Sequence, residues 1–256
     1  MGRGSSGRRI AAGFTLIELL VVVSIIALLL SILLPSFSRA RHQAKAVVCG
    51  ANLHQIGVAM TQYVMDNAKY PGHHSSTWDS QYGAVIVWPP RLRFYMKGHV
   101  GPFYCPAARP VTRWVVRYDP SPTYNKGKPY YYKREIPIWS SSFFGYGYND
   151  WGTREFTIPH LGLGAVPGDK EYGELPERRV KVPSDMIAMA DSNADGIWDT
   201  AIDPDADVNS EGPGKLHLGG AEVLFCDGHV AWFRQKSLVA RDTASRARWN
   251  NDHKNH

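Results

Sequence analysis

Asp191, Asn193, Asp195 and Gly196 stand at positions one, three, five and six of a segment whose ninth position is Asp199. Oxygen donors at that spacing open an EF-hand-type calcium loop, in which alternate side chains face one ion and glycine permits the sharp turn. The twelfth position is Ile202 rather than the glutamate that completes such a loop, which excludes a full EF-hand. A looser Ca2+ loop stays open, with Asp203, Asp205 or Asp207 as a late carboxylate. The competing reading is a turn whose Asp and Asn side chains bond to their own backbone. Further on, nine residues separate His217 from Asp227-Gly228. A His–Asp pair can serve a catalytic or metal site, but neither Ser210 nor Ser237 carries a motif that would make it a nucleophile beside it. The expected role is structural: Asp227-Gly228 turns the chain, and His217 hydrogen-bonds to the turn's backbone or to the Asp227 carboxylate.

A third chemical group lies near the start. From Phe14 to Leu34 the chain is almost continuously apolar for 21 residues, and Glu18 is the only ionisable residue there. As a helix this run spans about 30 Å, the thickness of a bilayer's hydrocarbon core. A carboxylate in such a run costs roughly 2.5–3.5 kcal/mol near the helix centre and less near its end, so Glu18 is a functional candidate. It is expected to lack a partner within its own chain. Met1–Gly13 is polar and carries Arg3, Arg8 and Arg9 with no acid, the kind of flank that stays cytoplasmic.

The elements that must position these groups follow from periodicity. Beyond Pro35, which can kink the helix, Val47, Val48, Ala51, Leu53, Ile56, Ala59, Met60, Tyr63 and Val64 recur at three- and four-residue spacing. Asp66-Asn67 and Tyr70-Pro71-Gly72 end the helix. Residues 71–183 form a loop-rich β insertion, with candidate strands at Ala84–Trp88, Thr112–Tyr118, Tyr130–Lys133 and Phe143–Tyr148, broken by Trp88-Pro89-Pro90 and by Asp119-Pro120. Residues 184–236 hold a buried strand, Met186–Ala190, the acidic loop and a hairpin, Ala221–Cys226 and His229–Phe233. Asp227-Gly228 between those strands predicts a type I′ turn with positive φ at both positions. Residues 237–256 read as a polar, ragged tail.

Gly13-Phe14-Thr15-Leu16-Ile17-Glu18-Leu19-Leu20-Val21-Val22 resembles the processing site of type IV prepilins and type II secretion pseudopilins. Cys49-Gly50-Ala51-Asn52-Leu53-His54-Gln55-Ile56-Gly57, with the His217/Asp227-Gly228 spacing, resembles the H-X9-DG subgroup of pseudopilins. The resemblance implies an α+β, pilin-like fold with the long N-terminal helix packed on an antiparallel sheet. It implies removal of the leader, residues 1–13, by a membrane prepilin peptidase that cuts between Gly13 and Phe14 and methylates the new terminus. Residues 14–34 would then be the transmembrane and assembly helix, and 35–70 its amphipathic continuation. Glu18 would meet the amino group of a neighbour's Phe14, relieving two desolvation costs together. The implied partners are other pilins or pseudopilins, the peptidase and an assembly platform at the inner membrane, with a periplasmic globular part and no enzymatic activity. Major pseudopilins also carry a calcium ion in a loop near the sheet, in line with the Asp191–Asp199 segment.

Composition sets the remaining limits. Arg3, Arg8 and Arg9 supply three of the formal net charge of +6, so only +3 remains beyond Gly13. No basic run interleaved with aromatics is present, and no nucleic-acid partner is predicted. The chain has three cysteines, and the topology places all of them outside the cytoplasm, where disulfides persist. Cys49 and Cys105 are the preferred pair and Cys226 a buried free thiol. No CxxC or Cys/His spacing suggests zinc. Eight Trp and thirteen Tyr leave a second function open: a membrane-anchored module that binds a glycan or cargo through Trp78, Trp139 or Trp151. An anchored hydrolase using His217 and Asp227 is a third and weaker reading.

Overall fold

A computed structural model describes residues 15–73, 87–117, 138, 142–151, 161–164, 173–196, 199–205 and 211–255. The chain forms two compact units, Met1–Arg41 and His42–His256.

Within the first unit runs the start of helix α1 (Leu16–Asn67). Its first turn is closed by a capping box: the Thr15 N–H and hydroxyl both donate to Glu18 Oε2 at 2.8 Å, and the Glu18 N–H donates to Thr15 Oγ1 at 3.2 Å. Glu18 therefore has a partner in its own chain, against the expectation from sequence. Thr15-Leu16-Ile17-Glu18 is itself the capping-box pattern, so the signal was present. The helix continues through Pro35, although that residue has no N–H to give the preceding turn. Its large apolar side chains are all exposed, from Leu16 to Phe37.

In the second unit α1 becomes amphipathic. Cys49, Leu53, Ile56, Gly57, Ala59, Met60, Tyr63 and Val64 are buried. The helix ends where Ala68 takes a positive φ of 55° and returns its N–H to Val64 O at 2.7 Å. The sheet has the order β3-β1-β2-β4-β5, with β1 (Tyr146–Asn149), β2 (Ile187–Asp191), β3 (Ala201–Ile202), β4 (Gly220–Phe225) and β5 (Val230–Arg234). Every pairing is antiparallel except β1 with β3, which is parallel. The α+β architecture is as expected, with a mixed rather than purely antiparallel sheet.

Strand alternation sends β4 side chains to two cores. Leu224 joins the core beneath α1, while Ala221, Val223 and Phe225 face Ile187, Ala190, Ile202, Leu238 and Trp249. Gly57 permits the close approach of helix and sheet, since a Cβ there would fall 2.7 Å from Leu224 Cδ1.

Several local expectations are corrected. Trp88-Pro89-Pro90 does not simply break a strand: it starts helix α2 (Pro89–Tyr95), because proline suits the first helical turn, where its missing N–H costs nothing. Thr112 closes a 3-10 turn (Pro110–Thr112) rather than opening a strand. The strand expected at Phe143–Tyr148 appears as β1, an interior strand. Most of Ala84–Trp88 and all of Tyr130–Lys133 lie outside the described residues. The polar tail is ordered. It forms α3 (Gln235–Leu238) and α4 (Thr243–Ala247), the latter capped by Asp242, which accepts from the Ser245 N–H at 3.0 Å. Trp249 is fully buried and donates to Leu238 O at 2.9 Å.

Candidate functional site

The Asp227-Gly228 hairpin turns, but by a different geometry. Only Gly228 has a positive φ, 92°; the Gly228 N–H bonds to Phe225 O at 2.9 Å and the Phe225 N–H to His229 O at 3.0 Å. This is a three-residue loop with glycine in the left-handed position. The two-residue turn with both φ positive occurs instead at Leu218 (55°) and Gly219 (84°), between reciprocal bonds of His217 and Gly220 at 3.1 Å. His217 does not meet Asp227. One precedes β4 and the other follows it, and a six-residue strand holds its ends about 20 Å apart. Asp227 Oδ1 instead accepts from the His229 N–H at 3.1 Å and lies 2.7 Å from His229 Nδ1.

What His217 does meet is a buried cluster with Cys49, Cys105 and Asp191. Each member is placed by a different element. Cys49 lies on the buried face of α1, Cys105 follows a 3-10 turn (Gly101–Phe103), Asp191 ends β2, and His217 enters β4. The ligand-type atoms all fall within 4.8 Å of one another. Cys49 and Cys105 are unbonded thiols with sulfurs 2.8 Å apart. The Cys49 thiol reaches Asp191 Oδ1 at 3.0 Å, and His217 Nε2 lies 3.3 Å from Asp191 Oδ2 and 3.4 Å from Cys105 Sγ. Tyr146, which pairs with Asp191 across β1 and β2, brings its hydroxyl to 3.1 Å from Cys49 Sγ. The Glu222 N–H donates to Asp191 Oδ2 at 2.8 Å.

Burial and mutual contact set the ionisation of these groups. Burial, aided by Cys105 and Asp191, pushes the Cys49 thiol up. The Cys49 hydrogen bond draws Cys105 below the usual thiol range, against burial and with help from His217. For His217 burial pulls downward, but hydrogen bonds to Asp191 and Cys105 prevail and carry it up to about 10. This is not a cysteine–histidine–aspartate triad. In a triad the acid holds one ring nitrogen and the nucleophile the other, whereas here both meet Nε2, and all four residues are at most 1% exposed.

The acidic loop divides. Asp191 turns into the cluster, away from its sequence neighbours. Asp199, also buried, accepts from the Asp195 and Gly196 N–H groups on Oδ1, both at 2.9 Å, and from the Phe144 N–H on Oδ2 at 3.0 Å. Burial raises Asp199 to about 6 against those three bonds, and a hydrogen bond with the Asp195 carboxyl adds to the rise. The Asn193 carbonyl accepts from the Asp195 N–H at 3.1 Å. Two of the three expected calcium aspartates thus meet, and the third serves elsewhere. Asp203 accepts from the Asp205 N–H, Asp205 pairs with Arg246, and Asp207 lies outside the described residues. So do Gly13, Phe14, Trp78 and Trp139; Trp151 is half-buried, with the Arg246 guanidinium 5.6 Å over its ring.

At the other end of the chain, a capped helix of the first unit presents an apolar surface long enough to cross a membrane. Residues 8–34 match the prokaryotic N-terminal methylation motif. The chain is 39% identical over 64 residues to type II secretion system core protein G of Pseudomonas aeruginosa, covering 25% of this chain and 45% of that protein. It is 40% identical over 68 residues to the type IV wide pilus major component of Thermus thermophilus, covering 27% and 52%. The chain thus spans about half the length of the curated relatives it matches. No solved structure matches it.

Proposed function

We propose that this protein is a structural subunit of a type IV pilus-like or type II secretion pseudopilus filament, not an enzyme. The observation that carries this reading is the methylation motif at the head of a helix whose first unit exposes every large apolar side chain. A surface of that kind needs either lipid or neighbouring copies of itself, and a filament core supplies the second after the membrane has supplied the first.

The leader is removed between Gly13 and Phe14 by the prepilin peptidase, and the helix then anchors the chain in the inner membrane with the second unit in the periplasm. Thr15 engages one oxygen of Glu18, Oε2, through two hydrogen bonds. That fixes the carboxylate at the helix start and leaves Oε1 for the Phe14 amine of the next subunit. The pairing sets the axial stagger between subunits, because an unpaired charge in lipid is costly. The H-X9-DG subgroup is the part of the reading that rests on the sequence resemblance alone.

Intact mass and N-terminal sequencing of the protein from its native membrane test the proposal. A chain beginning at N-methylated Phe14 is expected. A chain still beginning at Met1 or Gly2 in cells that hold an active prepilin peptidase overturns it.

A further inference from the structure

We propose that Cys49, Cys105, Asp191 and His217 form a closed zinc(II) site that ties helix α1 to the sheet. The inference goes beyond the filament reading and does not depend on it. Four atoms of ligand type, two sulfurs, a carboxylate oxygen and an imidazole nitrogen, come from four separate segments to within 4.8 Å of one another. Tetrahedral zinc with Zn–S near 2.3 Å and Zn–N or Zn–O near 2.0–2.1 Å places its ligands about 3.3–3.8 Å apart. The two histidine contacts, 3.3 and 3.4 Å, already have that spacing, while the Cys49 sulfur–Asp191 oxygen contact at 3.0 Å has to open by about 0.5 Å and the two sulfurs at 2.8 Å by about 1 Å to admit the ion.

The surroundings suit the ion. On binding, the protons held by the two thiols and by the His217 imidazolium leave to solvent, and His217 enters as neutral imidazole through Nε2, so the site carries two thiolates, one carboxylate and one dication. The remaining negative charge is met by hydrogen bonds already in place. The Tyr146 hydroxyl is 3.1 Å from Cys49 Sγ, the Ala107 backbone N–H bonds to Cys105, and the Glu222 N–H bonds to Asp191. Donors of this kind orient and tune thiolate and carboxylate ligands. Four protein ligands leave no position for water or substrate, which makes the site structural. A groove bordered by Gly50, His217 and Glu222 gives the ion its way in.

A Cys49–Cys105 disulfide would consume two of the four ligands, so the two states exclude each other. The test uses the full-length protein in detergent, reduced, stripped with a chelator, and reloaded with zinc or cobalt(II). One tightly retained metal per chain is expected, with the thiolate-to-cobalt charge-transfer band and the intense d–d bands of a tetrahedral site. Cys105→Ser should abolish retention, and His217→Gln should weaken it at least tenfold. Cys226→Ser, a buried thiol outside the cluster, should retain the metal in full. In the unmutated protein a thiol-reactive mercurial should release one zinc per chain, read with a metallochromic dye, a readout that does not depend on any variant folding. Folded, reduced protein that retains no zinc overturns the proposal, as does native protein isolated with Cys49 and Cys105 joined. Either result leaves the mature N-terminus, and the filament reading, untouched.

Discussion

The two halves of α1 are built from one unbroken helix and solve opposite problems. Leu16–Arg41 carries apolar residues around its whole circumference and buries none of them. The half from His42 to Asn67 buries one stripe on the sheet, Cys49, Leu53, Ile56, Met60, Tyr63 and Val64, and leaves Val58, Met65 and, against the expectation from spacing, Val47 and Val48 exposed. A helix that is apolar all round takes its partner from outside, whereas an amphipathic one finds it in its own chain. The contrast separates what holds this protein together from what would hold it to its neighbours.

The sharpest way to break that distinction is a matched pair of truncations. Leu53 is fully buried, so Leu53→Ala should lower unfolding stability by about 2–5 kcal/mol. Leu28→Ala, at a side chain 63% exposed, should leave the same denaturant midpoint unchanged. Equal losses in the pair would erase the difference between the halves. Next in size is Leu28→Lys, which should cost about 2.5–3.5 kcal/mol of membrane insertion. It should shift protein from the carbonate-resistant membrane fraction to the soluble fraction while the thermal transition of the second unit stays in place.

The third effect is set by pH and belongs to the second unit alone. Asp199, raised to about 6 by burial, holds its proton more tightly folded than unfolded. Stability is therefore greatest below about pH 4 in this respect and declines as pH rises through 6, by roughly 2–3 kcal/mol for this one group. Asp199→Asn should flatten that decline in calcium-free buffer, measured as unfolding free energy between pH 4 and 7. A slope unchanged by the substitution would show that another group sets it.

Much of this could be read from residue order because it is local. The three- and four-residue spacing of Leu53, Ile56, Met60 and Tyr63 names the buried helix face, and the apolar pairs around Asp227-Gly228 name β4 and β5. The hairpin's turn type was less legible, since Asp-Gly serves equally in a two-residue turn or in a three-residue loop with only the glycine at positive φ. Trp249 gives no sequence signal, because a lone aromatic in a polar stretch has no period. The cluster was illegible for a stronger reason. Cys49 and Cys105 lie 56 residues apart, and Cys105 and His217 lie 112 apart. Zinc sites are recognised in sequence by short pairs such as CxxC, and here every ligand arrives on its own segment. The spacing of Asp191 points to the loop it begins and not to the strand it ends.

The margins of the sheet bear on how such a domain behaves when many copies are crowded together. An open edge offers a stray strand a template for endless ladder growth. Here one margin, β3, is two residues long and presents almost nothing to copy. The opposite margin, β5, runs five residues, but it ends in the charge of Arg234, whose hydration any added strand would have to displace. Among the described residues, the fold therefore gives uncontrolled polymerisation through its sheet no easy starting point.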